Sequence, residues 1–156
     1  MVLPIITEPD PVLRQPAAPI EHIDENVKRL ARDMIETMHR ARGVGLAAPQ
    51  VHQGIRLIVV WSPEDQKVTP MVNPILTKKS FRKYIDQEGC LSIPGVWGKV
   101  KRHRSVTVEF VDLEDKKQMI QAEMLHARII QHEIDHLEGI LFTDKVIGAL
   151  SKTKVL

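Results

Sequence analysis

The chain holds one cysteine, Cys90, among 156 residues. An internal disulfide is therefore excluded, and nothing calls for an oxidising compartment. Aromatic residues make up only 4%, too few for a base-stacking platform, so direct nucleic-acid readout is not expected. The longest apolar run is the short stretch around Leu57 to Trp61, which predicts no membrane span. The opening MVLPIITEPDPVLR has no basic start, is interrupted by Pro4 and carries Glu8 and Asp10. No signal or transit peptide is expected, and a cytoplasmic monomer is the default. Net charge is only +2, so no acidic partner is demanded. Two local clusters, Lys78 to Lys83 and Lys99 to Arg104, are more basic; the favoured reading of both is a solvated strand face or loop.

What is present is ordinary for a globular protein: 43% hydrophobic and 27% charged residues, enough for one domain over residues 1–156. Prolines 4, 9, 11, 16 and 19 predict an extended arm with one turn around Pro11 to Arg14. Asp24 can cap a helix to about Arg42, with Val27, Leu30, Met34, Ile35 and Met38 as its apolar stripe and Gly43 as its stop. Residues 43–54 read as a loop. Strands are expected at 56–61, 69–72, 75–84 and 106–111, and a hairpin turn at 114–117 leads into 118–121. A second helix is expected from Glu123 to Gly139. The fold class is α+β: mostly antiparallel β-sheets around a C-terminal metal-binding helix, with the N-terminal helix packed outside.

The second helix carries His132-Glu133-Ile134-Asp135-His136. Imidazoles four residues apart share one helix face and can bind one divalent ion, with Glu133 nearby as a general base. Helical-wheel positions at about 100° per residue put Ile134, Leu137 and Leu141 within about 40° of Ile130, as a core stripe. On the same wheel His132 falls at about 200° and His136 at about 240°. Leu125 falls at about 220° and Ile129 at about 260°, on the same side as the histidines. Surface histidines would leave that apolar pair in water. A metal beside an apolar pocket fits better, and such a strip suits an unbranched, pliable side chain like methionine. Gln131, Glu138, Asp135 and Arg128 fill a polar arc that is expected to face water.

Catalytic sites usually take three protein ligands and leave one position open. Phe142 stands where the longer His-Glu-x-x-His-x-x-Gly-x-x-His pattern has its third histidine. Glu138 points to the polar arc, and Asp144 is a weak reserve. Cys90, in EGCLSIPG, has three readings: buried filler, nucleophile or thiolate ligand. The cysteine alone favours filler. The paired histidines shift the preference to ligation.

Three segments, GVGLAAPQ (Gly43 to Gln50), EGCLSIPG and QHEIDHLEG, resemble in order the signature stretches of the peptide deformylases. LPIITEPDPVLR, NPIL and LFTDKV extend the resemblance over nearly the whole chain. It implies hydrolytic removal of the N-formyl group from the formyl-methionine of nascent polypeptides. It implies a metal held by Cys90, His132 and His136, Fe²⁺ in the cell, with Zn²⁺, Ni²⁺ or Co²⁺ able to replace it. Gln50 and the Leu91 backbone N–H would stabilise the oxyanion, and Glu133 would move protons. Gly45 would contact the substrate backbone, and Gly43 and Val44 would line the pocket. Arg128 and Asp86 stand where some members carry apolar residues. Many bacterial members extend a C-terminal helix that docks on the ribosome; the short run ALSKTKVL implies a weaker or differently built transient contact. A small peptidase of the His-Glu-x-x-His kind and a non-catalytic metal-binding module remain as alternatives.

Overall fold

A computed structural model describes residues 1–153. The chain opens as an extended arm with one helical turn at Pro11–Arg14. Helix α1 (Glu25–Arg40) follows, with the Asp24 carboxylate accepting from the Val27 N–H at 3.0 Å. Strands β1 (Gly45–Ala47), β2 (Leu57–Trp61), β3 (Val68–Lys79), β6 (Ser105–Val111) and β7 (Lys117–Glu123) make one antiparallel sheet in the order β1-β2-β3-β6-β7. Strands β4 (Lys83–Cys90), β5 (Ile93–His103) and β8 (Val146–Lys152) make a second, in the order β4-β5-β8. Helix α2 (Met124–Leu137) leaves β7 directly. The fold is α+β, as expected, and none of its described helices is long and apolar enough to cross a membrane.

The run Leu57-Ile58-Val59-Val60 explains the layering. Successive side chains of a strand point to opposite faces, and all four are fully buried. Ile58 and Val60 join Met71, Val108, Ala127 and Ile130 on the α2 side. Leu57 and Val59 join Val27, Ala31, Met34 and Met38 on the α1 side. The sheet is thus covered on both faces, and α1 lies outside it.

Several expectations need correction. Gly43 does not take the left-handed turn that ends α1; Arg42 does, at φ 58°. The Arg42 and Gly43 N–H groups donate to the carbonyls of His39 and Met38, closing the helix end. Gly43 is needed for space, since a Cβ there would lie 2.8 Å from Leu91 Cδ1. The loop at 43–54 contains β1 and a helical turn at Ala48–Val51. The predicted segments 69–72 and 75–84 become one strand through Pro74, then a turn into β4. A bulge absorbs the proline: Asn73 sits at φ 49° and the register shifts there. Asn73 also exchanges hydrogen bonds with the Ile20 backbone, tying down the arm. Strands β5 and β8 are absent from the sequence reading. Pro94, Gly95 and Gly98 weaken any strand pattern in β5, and β8 is exposed along almost its whole length.

A cost of about 1–2 kcal/mol is typical for an L-residue held left-handed. Arg42→Gly should therefore raise unfolding free energy by up to about 1 kcal/mol, part of the gain being offset by unfolded-chain entropy. Arg42→Val should lower it. Urea titration of both variants checks the pair, and equal midpoints would remove strain from the account of this helix end.

Candidate active site

The second sheet clasps α2 along the arc expected to face water. Gln131 and Arg128 are buried, and Asp135 is mostly so. The Gln131 amide exchanges hydrogen bonds with the His103 backbone N–H and carbonyl. Arg128 donates to the carbonyls of Tyr84 and Val100 at 2.9 Å each and to Glu88 Oε2 at 2.6 Å. Its guanidinium carbon lies 4.5 Å from the Tyr84 ring centroid. The polar arc therefore faces β4 and β5, where these donors find carbonyls and a carboxylate.

This clasp brings Cys90 to the helix. Its Sγ lies 3.4 Å from His136 Nε2. The thiol and one ring nitrogen from each of His132 and His136 all lie within 4.8 Å of one another. Bonds of about 2.0–2.3 Å to one tetrahedral ion would place ligand atoms about 3.5 Å apart, so the set fits a single divalent cation after small side-chain adjustments. Asp144, the reserve ligand, instead pairs with Arg14. Phe142 stacks on His132, with ring centroids 6.1 Å apart.

Glu88 organises the centre. Its Oε1 accepts from His132 Nδ1 at 2.9 Å, leaving Nε2 for an ion. Arg102 grips both carboxylate oxygens at 2.9 Å, and Asp135 takes the other end of Arg102. Burial opposes charge on Glu88, but the Arg102 and His132 hydrogen bonds hold its carboxyl well below the usual range. Burial likewise opposes charge on His132, yet its contacts with Cys90 and Glu88 raise it to about 10. His136 is pushed well below 6.5, first by burial and then by His132, which keeps its ring neutral and able to ligate.

Glu133 is buried beside this set, and burial raises it to about 7. Its Oε1 has no hydrogen-bond partner among the described residues. A Cβ on Gly45 would fall 2.5 Å from Glu133 Oε2, so only glycine lets β1 and this carboxylate meet. Gln50 accepts from the Ala47 N–H at 2.9 Å. Its amide nitrogen is thereby turned to Ser92 Oγ (3.1 Å) and Cys90 Sγ (3.5 Å). A cavity of about 580 Å³ opens beside the ligands. Gly43, Val44, Gly45, Gln50, Leu91, Leu125 and Ile129, the residues singled out in the sequence, all line it. Ile129 is buried, while Leu125 and Val44 are exposed at 44% each, as side chains at an open mouth.

Sequence reasoning misses Glu88, Arg102 and Trp97. Glu88 lies inside the EGCLSIPG motif but gains no role from it. Arg102 lies in a run read as solvated, yet it is 4% exposed. The alternation of buried Val100 and Arg102 with exposed Lys99 and Lys101 is its only signal. Trp97 crosses Gly89, where a Cβ would meet its ring at 2.5 Å.

A thiol, two imidazoles and a buried carboxylate beside an apolar cavity form the equipment of a hydrolase. The family model for polypeptide deformylase matches residues 2–152. The peptide deformylase of Rhizobium meliloti (strain 1021) is 47% identical over 148 residues, covering 93% of this chain and 85% of its own length. That of Thermomicrobium roseum is 48% identical over 149 residues, covering 91% and 84%. A peptide deformylase from Synechococcus elongatus, solved with actinonin, superposes with a TM-score of 0.89 at 41% identity, over 94% of this chain and 79% of that one. The enzyme from Thermus thermophilus gives 0.88 at 43%, over 94% and 86%. The chain belongs to the polypeptide deformylase family.

Breaking a buried ion pair typically costs about 3–5 kcal/mol, and Glu88→Gln should cost the metal-free protein that order of stability at neutral pH. Folding lowers the Glu88 pKa from 4.5, so its contribution is complete above that value and is lost as pH falls below it. The stability difference between wild type and variant should therefore shrink as pH falls below about 4.5, where the unfolded chain takes up the Glu88 proton. Urea unfolding below that pH measures it; a difference that keeps growing there would contradict the assignment.

Proposed function

We propose that this chain removes the N-formyl group from the formyl-methionine of nascent polypeptides, using one divalent ion held by Cys90, His132 and His136. The observation that carries the reading is the convergence of those three donors within 4.8 Å, beside a buried glutamate and an apolar cavity. A divalent ion held there would supply Lewis acidity towards a water and the formyl group. Fe²⁺ is the proposed cellular ion, and the mixed sulfur and nitrogen donors also suit Zn²⁺, Ni²⁺ or Co²⁺.

The chain's own groups do the rest. Glu133 takes a proton from the attacking water and returns it to the departing amine, which leaves poorly as an anion. Its position near neutrality suits both transfers. The Gln50 amide and the Leu91 N–H donate to the oxygen as it gains charge. Each such donor is typically worth about 3–4 kcal/mol in the transition state. The Gln50 amide cannot turn away without giving up its bond to Ala47. Leu125 and Ile129 hold the methionine side chain away from water, and Gly43, Val44 and Gly45 border the peptide backbone. All these groups come from one chain, so a monomer suffices. A transient contact with the ribosome, where the substrate emerges, is part of the proposal.

Metal-loaded protein should release formate from formyl-Met-Ala and leave unformylated peptides intact. Glu133→Ala should lower kcat by about 10²–10⁴-fold at matched metal content. Near-wild-type formate release by that variant, or cleavage of unformylated peptides without formate, would reject the mechanism. Cys90→Ser should lose metal faster to a chelator, while Cys90→Asp should keep a weaker site. Elemental analysis of both, prepared anaerobically, reads this directly, and unchanged metal content would return the thiol to a packing role.

A further inference from the structure

The tip of the β3–β4 hairpin and the outward face of β4 and β5 form a surface that the catalytic reading leaves unused. Phe81, at the tip, is fully exposed. Lys79, Arg82 and Lys83 surround it in sequence, and all are exposed. The Arg104 N–H donates to the Arg82 carbonyl at 3.0 Å, which brings a fourth cation to the tip. Register extends the patch. Lys101 stands opposite Ile85, and Lys99 lies between Gln87 and Ile147. Paired residues share a face, and here it is the outward one, because the alternate residues Val100 and Arg102 are buried.

Positive charge dominates the face, with the exposed carboxylates Asp86 and Glu123 at its margins, Glu123 lining one pocket with Lys79. Residues 78–85 and 97–104 contain no carboxylate. The face takes six of the 22 basic residues, so the remainder of the chain has more acids than bases. Ion pairs among the described residues use Arg14, Lys28, Arg56, Arg102, Arg128 and Lys145 instead. The face runs to the cavity, which Gln87 and Trp97 also line.

We propose that this face docks on the phosphate backbone of structured RNA, with Phe81 stacking on an unpaired base. The choice of RNA rests on the proposed action on nascent chains, which are made on an RNA-rich particle. Charge complementarity supplies affinity without base readout, and one exposed aromatic adds a sequence-tolerant stack. A lipid surface fits less well. Lys101 and Lys99 stand directly beside Ile85 and Ile147 on one face, so immersing the apolar groups would immerse the charges as well.

The test uses metal-loaded full chain, a labelled stem–loop RNA, and vesicles containing about 30% phosphatidylserine. RNA affinity should fall about a hundredfold between roughly 50 and 200 mM salt, as about four phosphate contacts would give. Lys79→Gln/Arg82→Gln/Lys83→Gln should weaken binding and flatten the salt slope by about two units. Phe81→Ala should weaken it about fivefold or more while keeping the slope. Both variants should keep formate release from a free formyl-peptide. RNA affinity absent at low salt, unchanged in the triple variant, or exceeded by vesicle binding overturns the proposal. Absent formate release by wild type overturns the catalytic reading separately.

Discussion

Four hydrogen bonds from three side chains converge on the Glu88 carboxylate: two from Arg102, one from Arg128 and one from the Nδ1 of His132. A buried charge is costly unless paired and hydrogen-bonded, and here each oxygen has two partners. The same bonds perform three tasks. They fasten β4 to β5, fasten both strands to α2, and turn the His132 ring so that its free nitrogen faces Cys90. Because Glu88 is two residues before Cys90, the constraint that orients one ligand also delivers another. The candidate centre and the joint between the second sheet and the helix are one structure.

Around that joint, close approach matters more than backbone freedom. Gly45 and Gly89 are points where a single methyl group would strike Glu133 or Trp97. The first lets β1 close on Glu133 of α2, and the second lets the Trp97 ring of β5 lie across β4. The resulting cavity is lined mainly by apolar groups, with polar groups at one end. Water is thus limited where Glu133 sits, which is the physical source of its raised pKa. The arm contributes as well: Ile6 and Glu8 donate backbone hydrogen bonds to Gln50 and Ser92. The oxyanion-donor candidate is therefore braced at its backbone by the arm and at its side chain by Ala47.

Legibility follows periodicity. Helix α1, strand β2 and the hydrophobic face of α2 are readable because their patterns are regular and their apolar residues lie on packed faces. The positions of Leu125, Ile129, His132 and His136 on one side of α2 follow from helical geometry alone. Strand β5 is not readable, because its buried positions include an arginine and a glycine. Arg128, Gln131 and Asp135 of the polar arc of α2 are misassigned to solvent for a related reason, while Glu138 does reach it. Wheel geometry states which residues share a side, but it does not state what lies opposite. Glutamine and arginine are as well served by buried carbonyls as by water when geometry permits.

The residues alone determined the helix-borne histidine pair, the adjacent carboxylate, the apolar strip beside them and the α+β class, because these depend on spacing within one element. They also determined the available ligand chemistry, since only one thiol exists. The tertiary structure decided which partner completes the set, how Glu88 and two arginines neutralise one another, and which glycines make room. Those features join residues far apart in the chain, and their energies depend on burial and mutual distance, quantities that a linear pattern does not contain.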